Sequence, residues 1–463
     1  MAKPKLFIPV IQHFGVRYVL RTGMLEKLSD FVDPIIGVSW HDPDLEKDYI
    51  KAGAKVVEIP PFVFGADFSR AKRRINTWHR IFRKTPSTKL EARSEFQKLS
   101  PKEKIKKVIN NSEDAILRWL PDGVERLFAN YDKLLWANTN AKEIEEILLN
   151  VNPDAYLSIT PYVNREEPLL CASAKNKILN YASILSFDNL TSRNWMPVKF
   201  DHYMVWNKYN VEQLLRGYPA VTENDVTITG APQFDFYYDK NYVWDEKVWR
   251  KHLGIPAGRP VILFGGGTAQ LIPNEPVWLE QLDEDISNGR ITGNPVVLFR
   301  RHPGDIKERW NKVLALAKNV ISDEPWQAKE QRGHTNITRE DIEDLASTLQ
   351  HSVLHINTVS TMTVDGAIFD RPQIGPAYDA DPQKKYDRTL RDLYKREHYL
   401  PIVESGGLDI VSNRAELNQA ICSAMEFPEE RSEGRKKIVS EICTFADGKS
   451  TQRVVNKLKE LLS

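Results

Sequence analysis

What most constrains this chain is an alternation. Short runs rich in β-branched and aromatic residues recur along its length, and segments with helical periodicity fall between them. Such alternation builds α/β architecture, in which helical crossovers return each strand parallel to the last and cover both faces of the sheet. The first half offers strands at Leu6–Val10, Ile35–Ser39, Val56–Ile59, Ala155–Ile159, Ile184–Phe187 and His202–Trp206, with helices such as Gly23–Phe31 and Ala141–Asn150 between them. The second half begins again with Val226–Thr229, then Val261–Phe264, Val296–Phe299, Asn319–Ile321, Val353–Ile356 and Pro372–Gly375. At 463 residues the chain exceeds one ordinary core. The pattern predicts two Rossmann-like doubly wound domains, 1–230 and 231–463, facing each other across a cleft and joined by the turn at Gly230-Ala231-Pro232.

The segment 66–135 lacks strand character and reads as a helical insertion in the first domain. It is basic: Arg70, Lys72, Arg73, Arg74, Lys84, Lys98, Lys102, Lys104, Lys106 and Lys107 stand among few acids. Such a run, 66–110, suits peripheral contact with an anionic membrane. The final helix, Thr451–Leu462, puts Val454, Val455, Leu458 and Leu461 on one face, which equips it to pack back on the first domain.

Composition removes several classes. With 41% hydrophobic and 27% charged residues the chain is globular, and a net charge of +1 gives no pull toward nucleic acid. No apolar run approaches the roughly 18 to 20 residues of a membrane span. Met1-Ala2-Lys3-Pro4-Lys5 leads directly into a strand, without the apolar region of a secretory signal. Cys171, Cys422 and Cys443 lack metal-ligand spacing and read as thiols of a reducing compartment. A cytoplasmic location is expected.

Ligands of open α/β sheets bind beyond the carboxyl ends of the strands, so the residues after each strand are the candidates. Gly265-Gly266-Gly267-Thr268 follows one strand, and its Gly266, Gly267 and Thr268 N–H groups could face phosphate oxygens. Arg300-Arg301-His302-Pro303 follows the next, where an imidazole and guanidinium groups could meet a diphosphate. Asn357-Thr358-Val359-Ser360-Thr361 follows a third and opens a helix, an anion-binding arrangement in which Ser360 is also a good N-cap. Asp365, one turn on, could hold ribose hydroxyls. In the first domain His13 and Asp188 follow strands and compete as general base toward an acceptor hydroxyl. Neither a Walker spacing nor a Gly-x-Gly-x-x-Gly fingerprint occurs. Asp42-Pro43-Asp44 reads as a turn rather than a metal-diphosphate motif.

The stretches SFDNLTSRN, FDHYMVWNKYN, VTITGAPQFDFY, VVLFRRHPGD, HINTVSTMTVDGAIFDRPQIG and FADGKSTQRVVNKL resemble the GT-B superfamily of bacterial surface-polysaccharide enzymes over roughly 151–457. That superfamily includes CDP-glycerol glycerophosphotransferases, sialic-acid and Kdo transferases with a His-Pro motif and, more distantly, UDP-N-acetylglucosamine 2-epimerases. The resemblance implies that His302 contacts the donor phosphate and helps the leaving group depart. It implies that Ser360 and Thr361 bind the same phosphate and that Asp365 holds the ribose. The acidic base motif of some sialyltransferases has no counterpart here, and the epimerases' paired glycines and glutamates are also missing.

The expectation is a metal-independent, cofactor-free glycosyltransferase that uses a nucleotide-sugar donor to assemble a capsule, O-antigen or similar glycan on a glycan or lipid-linked acceptor. Transfer of an alditol phosphate from a CDP donor is the alternative within enzymes. A non-catalytic sugar-nucleotide or polysaccharide-binding protein is the alternative outside them.

Overall fold

The computed structural model describes residues 2–83, 86–97, 99–119, 122–324, 336–381 and 389–463, so Lys84 and Lys98 of the basic run lie outside the described residues. The chain divides into two compact units, 1–230 with 451–463, and 231–450.

In the first unit, strands β1 (Lys5–Val10), β2 (Asp33–Val38), β3 (Lys55–Glu58), β4 (Ala155–Ser158), β5 (Leu179–Ser183), β6 (His202–Val205) and β7 (Val226–Ile228) form one sheet in the order β3-β2-β1-β4-β5-β6-β7. Every pairing is parallel. The central strands are buried on both faces, which explains why they read as continuous apolar runs and not as alternations. Pro9 lies inside β1, a position that normally disfavours proline. β1 pairs with β4 only at Leu6 and Phe7, so the missing N–H falls near the point where that ladder has already ended. Four helices, Ala66–Arg83, Pro86–Gln97, Pro101–Trp119 and Gly123–Trp136, occupy the strandless segment.

In the second unit, β8 (Val261–Gly265), β9 (Val296–Arg300), β10 (Val320–Asp323), β11 (Leu354–Asn357), β12 (Gln373–Pro376) and β13 (Leu408–Val411) form a parallel sheet in the order β10-β9-β8-β11-β12-β13. In each sheet the winding reverses once, between β1 and β4 and between β8 and β11. Those are the switch points at which open α/β sheets leave a crevice.

Three sequence expectations need correction. The strand expected at Ile184–Phe187 lies earlier, at Leu179–Ser183. Its Asn-Tyr-Ala-Ser sequence has weak strand propensity, but β4 and β6 pair with it on both sides and bury it. The more β-like Ile-Leu-Ser-Phe that follows leaves the sheet toward Asp188. β13 was not expected at all, because Leu-Asp-Ile-Val is short and half-exposed. The third concerns the C-terminal helix, Ser450–Leu461. Val454, Val455 and Leu458 join the core of the first unit beside Leu6, Ile8 and Leu157, so residues 451–463 leave the span expected for the second domain.

Candidate functional site

The second unit brings three of the expected motifs to one sheet edge. β9, β8 and β11 are neighbours, so the segments following them emerge side by side, spanning about 10 Å at the usual strand spacing. What each segment does there differs from its sequence reading.

The glycines serve packing before ligand contact. A side chain at Gly265 would come within 2.7 Å of the Met362 sulfur, so glycine lets the helix Met362–Ile368 start directly over β8. The Gly266 N–H donates to the Arg300 carbonyl at 2.9 Å. The Gly267 N–H, expected to face phosphate, donates to both oxygens of Glu275 at 2.9 and 2.8 Å. Thr268 is half-buried, and its carbonyl accepts the N–H groups of Leu271 and Ile272. Glu275 is buried, and burial pushes its pKa up to about 7 against the pull of the Gly267 N–H and Arg309. Arg309 bonds Glu275 at 2.9 Å and Asp305 at 2.7 Å, while Asp305 also accepts the Ala269 N–H and the Trp310 indole N–H, both at 2.8 Å. Two buried carboxylates thus share one guanidinium and clamp the glycine loop to the loop after β9.

The two arginines before His302 are likewise engaged inside the protein. Arg300 is buried between Asp323 and Asp344. Arg301 pairs with Glu324 at 2.8 Å and donates to the carbonyls of His302 and Asp305. The expected guanidinium contribution to an anion therefore gives way to loop bracing. His302 itself is exposed. Its Nδ1 accepts the Gly304 N–H at 3.0 Å, which places the proton of the neutral ring on Nε2. Crowding by protein lowers its pKa below the usual value, Asp305 opposes that shift and Arg301 reinforces it. His302 therefore presents a neutral Nε2–H donor at neutral pH.

After β11 the chain strains. Val359 adopts φ 47°, a left-handed conformation that β-branched residues avoid, at a cost on the order of 1–3 kcal/mol. The Ser360 hydroxyl accepts the Met362 N–H at 3.2 Å, and the Ser360 backbone N–H meets the Tyr399 oxygen. Thr363 bridges Asn357 Oδ1 at 2.7 Å and Tyr399 at 2.8 Å, tying the turn down. Thr361 is exposed and its side chain caps nothing. The Asn357 Nδ2 group is buried at the switch point with no hydrogen-bond partner among the described residues. An unmet buried donor is costly, and beside a ligand edge it is a candidate contact for a ligand atom. Asp365 faces elsewhere: it is buried, accepts the Tyr237 hydroxyl and lies near Cys443, so the structure gives this carboxylate to the packing of the second unit.

In the first unit His13 follows β1 and is half-buried, its ring tilted 40° against that of Phe14 with centroids 4.2 Å apart. Asp188 accepts the Ser192 hydroxyl at 2.8 Å and the Asn189 side-chain amide, so its carboxylate is tied to side chains of the short helix Asn189–Ser192 and not to its backbone N–H groups. Both belong to the same sheet edge. Two features there escaped the sequence reading. Residues Arg17–Arg21 form a π-helix, a local underwinding common at functional sites. Glu166, fully buried after β4, accepts from Tyr156 at 3.0 Å and Thr160 at 2.7 Å, and burial pushes its pKa up to about 7. Only the adjacent Glu166-Glu167-Pro168 before an apolar helix could have signalled it.

Among the described residues no group of three His, Cys, Asp or Glu side chains could hold a metal ion, and no helix is long and apolar enough to cross a membrane.

Comparison with known proteins follows the same lines. No curated protein matches the chain. Solved structures with a similar fold include the UDP-GlcNAc 2-epimerase of Neisseria meningitidis bound to UDP-GlcNAc, at 12% identity and TM-score 0.56, covering 98% of this chain and 100% of that one. A glycosyltransferase of Rickettsia africae has 13% identity and TM-score 0.51, covering 100% and 98%. Anabaena Alr3699/HepE, in complex with UDP and glucose, has 10% identity and TM-score 0.51, covering 99% and 100%. At these identities the likeness establishes a GT-B-type fold of two Rossmann-like domains. The model of one family, described as CDP-Glycerol:Poly(glycerophosphate) glycerophosphotransferase, matches residues 180–460, a span that contains the whole β9-β8-β11 edge. The chain belongs to that glycerophosphotransferase family, and it is a transferase.

Proposed function

We propose that the chain transfers an alditol phosphate of the glycerophosphate type from a CDP-activated donor to a hydroxyl of a growing surface polymer. The acceptor oxygen attacks the distal phosphorus of the donor, a new P–O bond forms, the bridging P–O bond breaks, and CMP departs. The observation that carries this reading is the edge inside the family span, where the adjacent strands β9, β8 and β11 set His302 with its Nε2–H, Thr361 and the unmet Asn357 Nδ2 group along one side of one sheet. Neutral donors fixed before reaction are the means by which an enzyme stabilises developing phosphate charge without reorganisation. In this reading no metal is required, the 231–450 unit holds the nucleotide, and the 1–230 unit holds the acceptor, with His13 or Asp188 as base.

A second reading, glycosyl transfer from a nucleotide sugar, is favoured by the fold neighbours crystallised with UDP and sugars. One experiment separates the two. Purified protein and a hydroxyl-bearing acceptor polymer of the glycerophosphate or glycan type are incubated with CDP-glycerol and, separately, with UDP-, GDP-, dTDP- and CMP-sugars, with and without EDTA, and released nucleotides are resolved by chromatography. CMP from CDP-glycerol, undiminished by EDTA, is the expected result. A nucleoside diphosphate released from a UDP-, GDP- or dTDP-sugar, or CMP from a CMP-sugar, with CDP-glycerol untouched, would establish glycosyl transfer instead. Nucleotide binding with no consumption of any donor would leave a binding protein.

A further inference from the structure

The first unit holds a second concavity that the donor chemistry does not use. The end of β2, the end of β3 and the helix Pro43–Lys51 enclose a cavity of about 210 Å³, lined by Trp40, His41, Asp42, Glu46, Tyr49 and Glu58 among others. Tyr49 is fully buried, yet its hydroxyl has no hydrogen-bond partner among the described residues. Burial pushes the Tyr49 pKa up, with Asp42 and Asp48 adding to that shift and Arg21 opposing it, so the group stays an O–H donor. A donor left unmet in the wall of a cavity marks a place where a ligand atom completes the structure.

The rest of the lining selects the ligand's chemistry. Asp42 uses Oδ1 to cap the helix, accepting from Asp44 and Leu45, which leaves Oδ2 as an acceptor. Glu46 and Glu58 add further acceptors. Three carboxylates repel phosphate and sulfate. They do not form a group that could hold a metal ion. Trp40 contributes an indole to the wall, and flat aromatic surfaces suit the apolar face of a sugar ring. Many acceptors, one unmet donor and an aromatic wall together describe a site for a neutral, hydroxyl-rich molecule.

We propose that this cavity is a subsite for one uncharged sugar or polyol residue, a part of the acceptor away from the reacting hydroxyl. The assignment to the acceptor rests on the transferase reading above, whereas the binding itself does not. Methyl glucoside, methyl N-acetylglucosaminide, glycerol and, as control, inorganic phosphate are presented to the full-length protein, and contact is read by saturation-transfer NMR. Saturation transfer to at least one neutral probe is expected, weakened about tenfold by Tyr49→Phe and by Glu58→Gln, as loss of one hydrogen bond implies. Tyr49→Phe should also leave the melting temperature equal or higher, because it removes a buried hydroxyl that no protein group meets. Absence of transfer to every neutral probe overturns the proposal. So does transfer that both variants leave unchanged, or a fall in melting temperature showing that the hydroxyl serves the fold. Because the readout is binding, the result stands apart from whether CMP is ever released.

Discussion

His302 shows how much one hydrogen bond decides. With Nδ1 occupied by the Gly304 N–H, the ring offers a donor and cannot take a second proton without breaking that contact. His302→Ala should lower kcat/KM for the donor about ten- to a hundredfold with little change in melting temperature, since an exposed side chain is lost. Because the pKa is depressed, the acid limb of the wild-type rate profile should fall below pH 6.5, with activity lost as pH drops through it and none lost above. A limb centred above 6.5 would assign the titration to another group. Val359 carries the complementary test. Val359→Gly should cost much less stability than a half-buried valine normally would, because glycine relieves the left-handed backbone. The same change should weaken nucleotide affinity several-fold by loosening the turn, as calorimetry would read.

At the scale of elements, the clamp among Glu275, Arg309 and Asp305 holds the loops after β8 and β9 together. The Glu275 pKa is raised to about 7 from a usual 4.5, so its protonated form is favoured by folding. Its stabilising contribution is complete below pH 4.5 and is lost as pH rises through 7, with a slope of at most about 1.4 kcal/mol per pH unit. Glu275→Gln cannot titrate. The stability difference between wild type and variant should therefore fall between pH 4.5 and 7 and level off above, and a flat difference across that range would show that Arg309 keeps the carboxylate charged throughout. The helix Pro101–Trp119 presents another element-scale feature. Ile105, Val108 and Ile109 are 63%, 53% and 53% exposed at helical spacing, with Lys102, Lys104 and Lys106 around them. We propose that this face binds at the boundary of an anionic bilayer, where an apolar stripe flanked by lysines would gain from both burial and charge. Vesicles containing anionic lipid should sediment the protein at low salt and release it at high salt. Ile105→Glu should abolish sedimentation without unfolding the chain. The basic run is not uniform in role: Lys72 is buried against Glu167 and takes no part in a surface.

At the scale of the molecule, the chain returns to its beginning. The helix Ser450–Leu461 completes the first core, with the Tyr181 hydroxyl donating to the Leu461 carbonyl at 3.2 Å. Leu458→Ala should cost about 2–5 kcal/mol, as other deletions of buried leucine do. Truncation after Ser450 should lower the melting temperature of the first unit although every deleted residue lies at the far end of the sequence. Unaltered melting in both variants would mean that this helix is dispensable to the core.

Periodicity alone was enough for the α/β class, most strands, the helical character of 66–135 and the apolar face of the last helix, because strand and helix periods are local properties of side-chain direction. The same locality explains why His302, the glycine loop and Asn357–Thr361 could be recognised as strand-end residues before their neighbours were known. It could not supply partners. Whether a guanidinium meets a ligand or an aspartate depends on residues far along the chain, and Arg300 finds Asp323 only once β9 and β10 pair and Asp344 only once the helix Arg339–His351 packs beside them. Nor could it supply strand order, which brings β8 beside β11 and leaves the Asn357 amide unmet at the reversal. Burial decides the rest. Glu166 and Glu275 are ordinary carboxylates in the sequence and near-neutral acids in the fold, because only packing removes the water that would keep them charged.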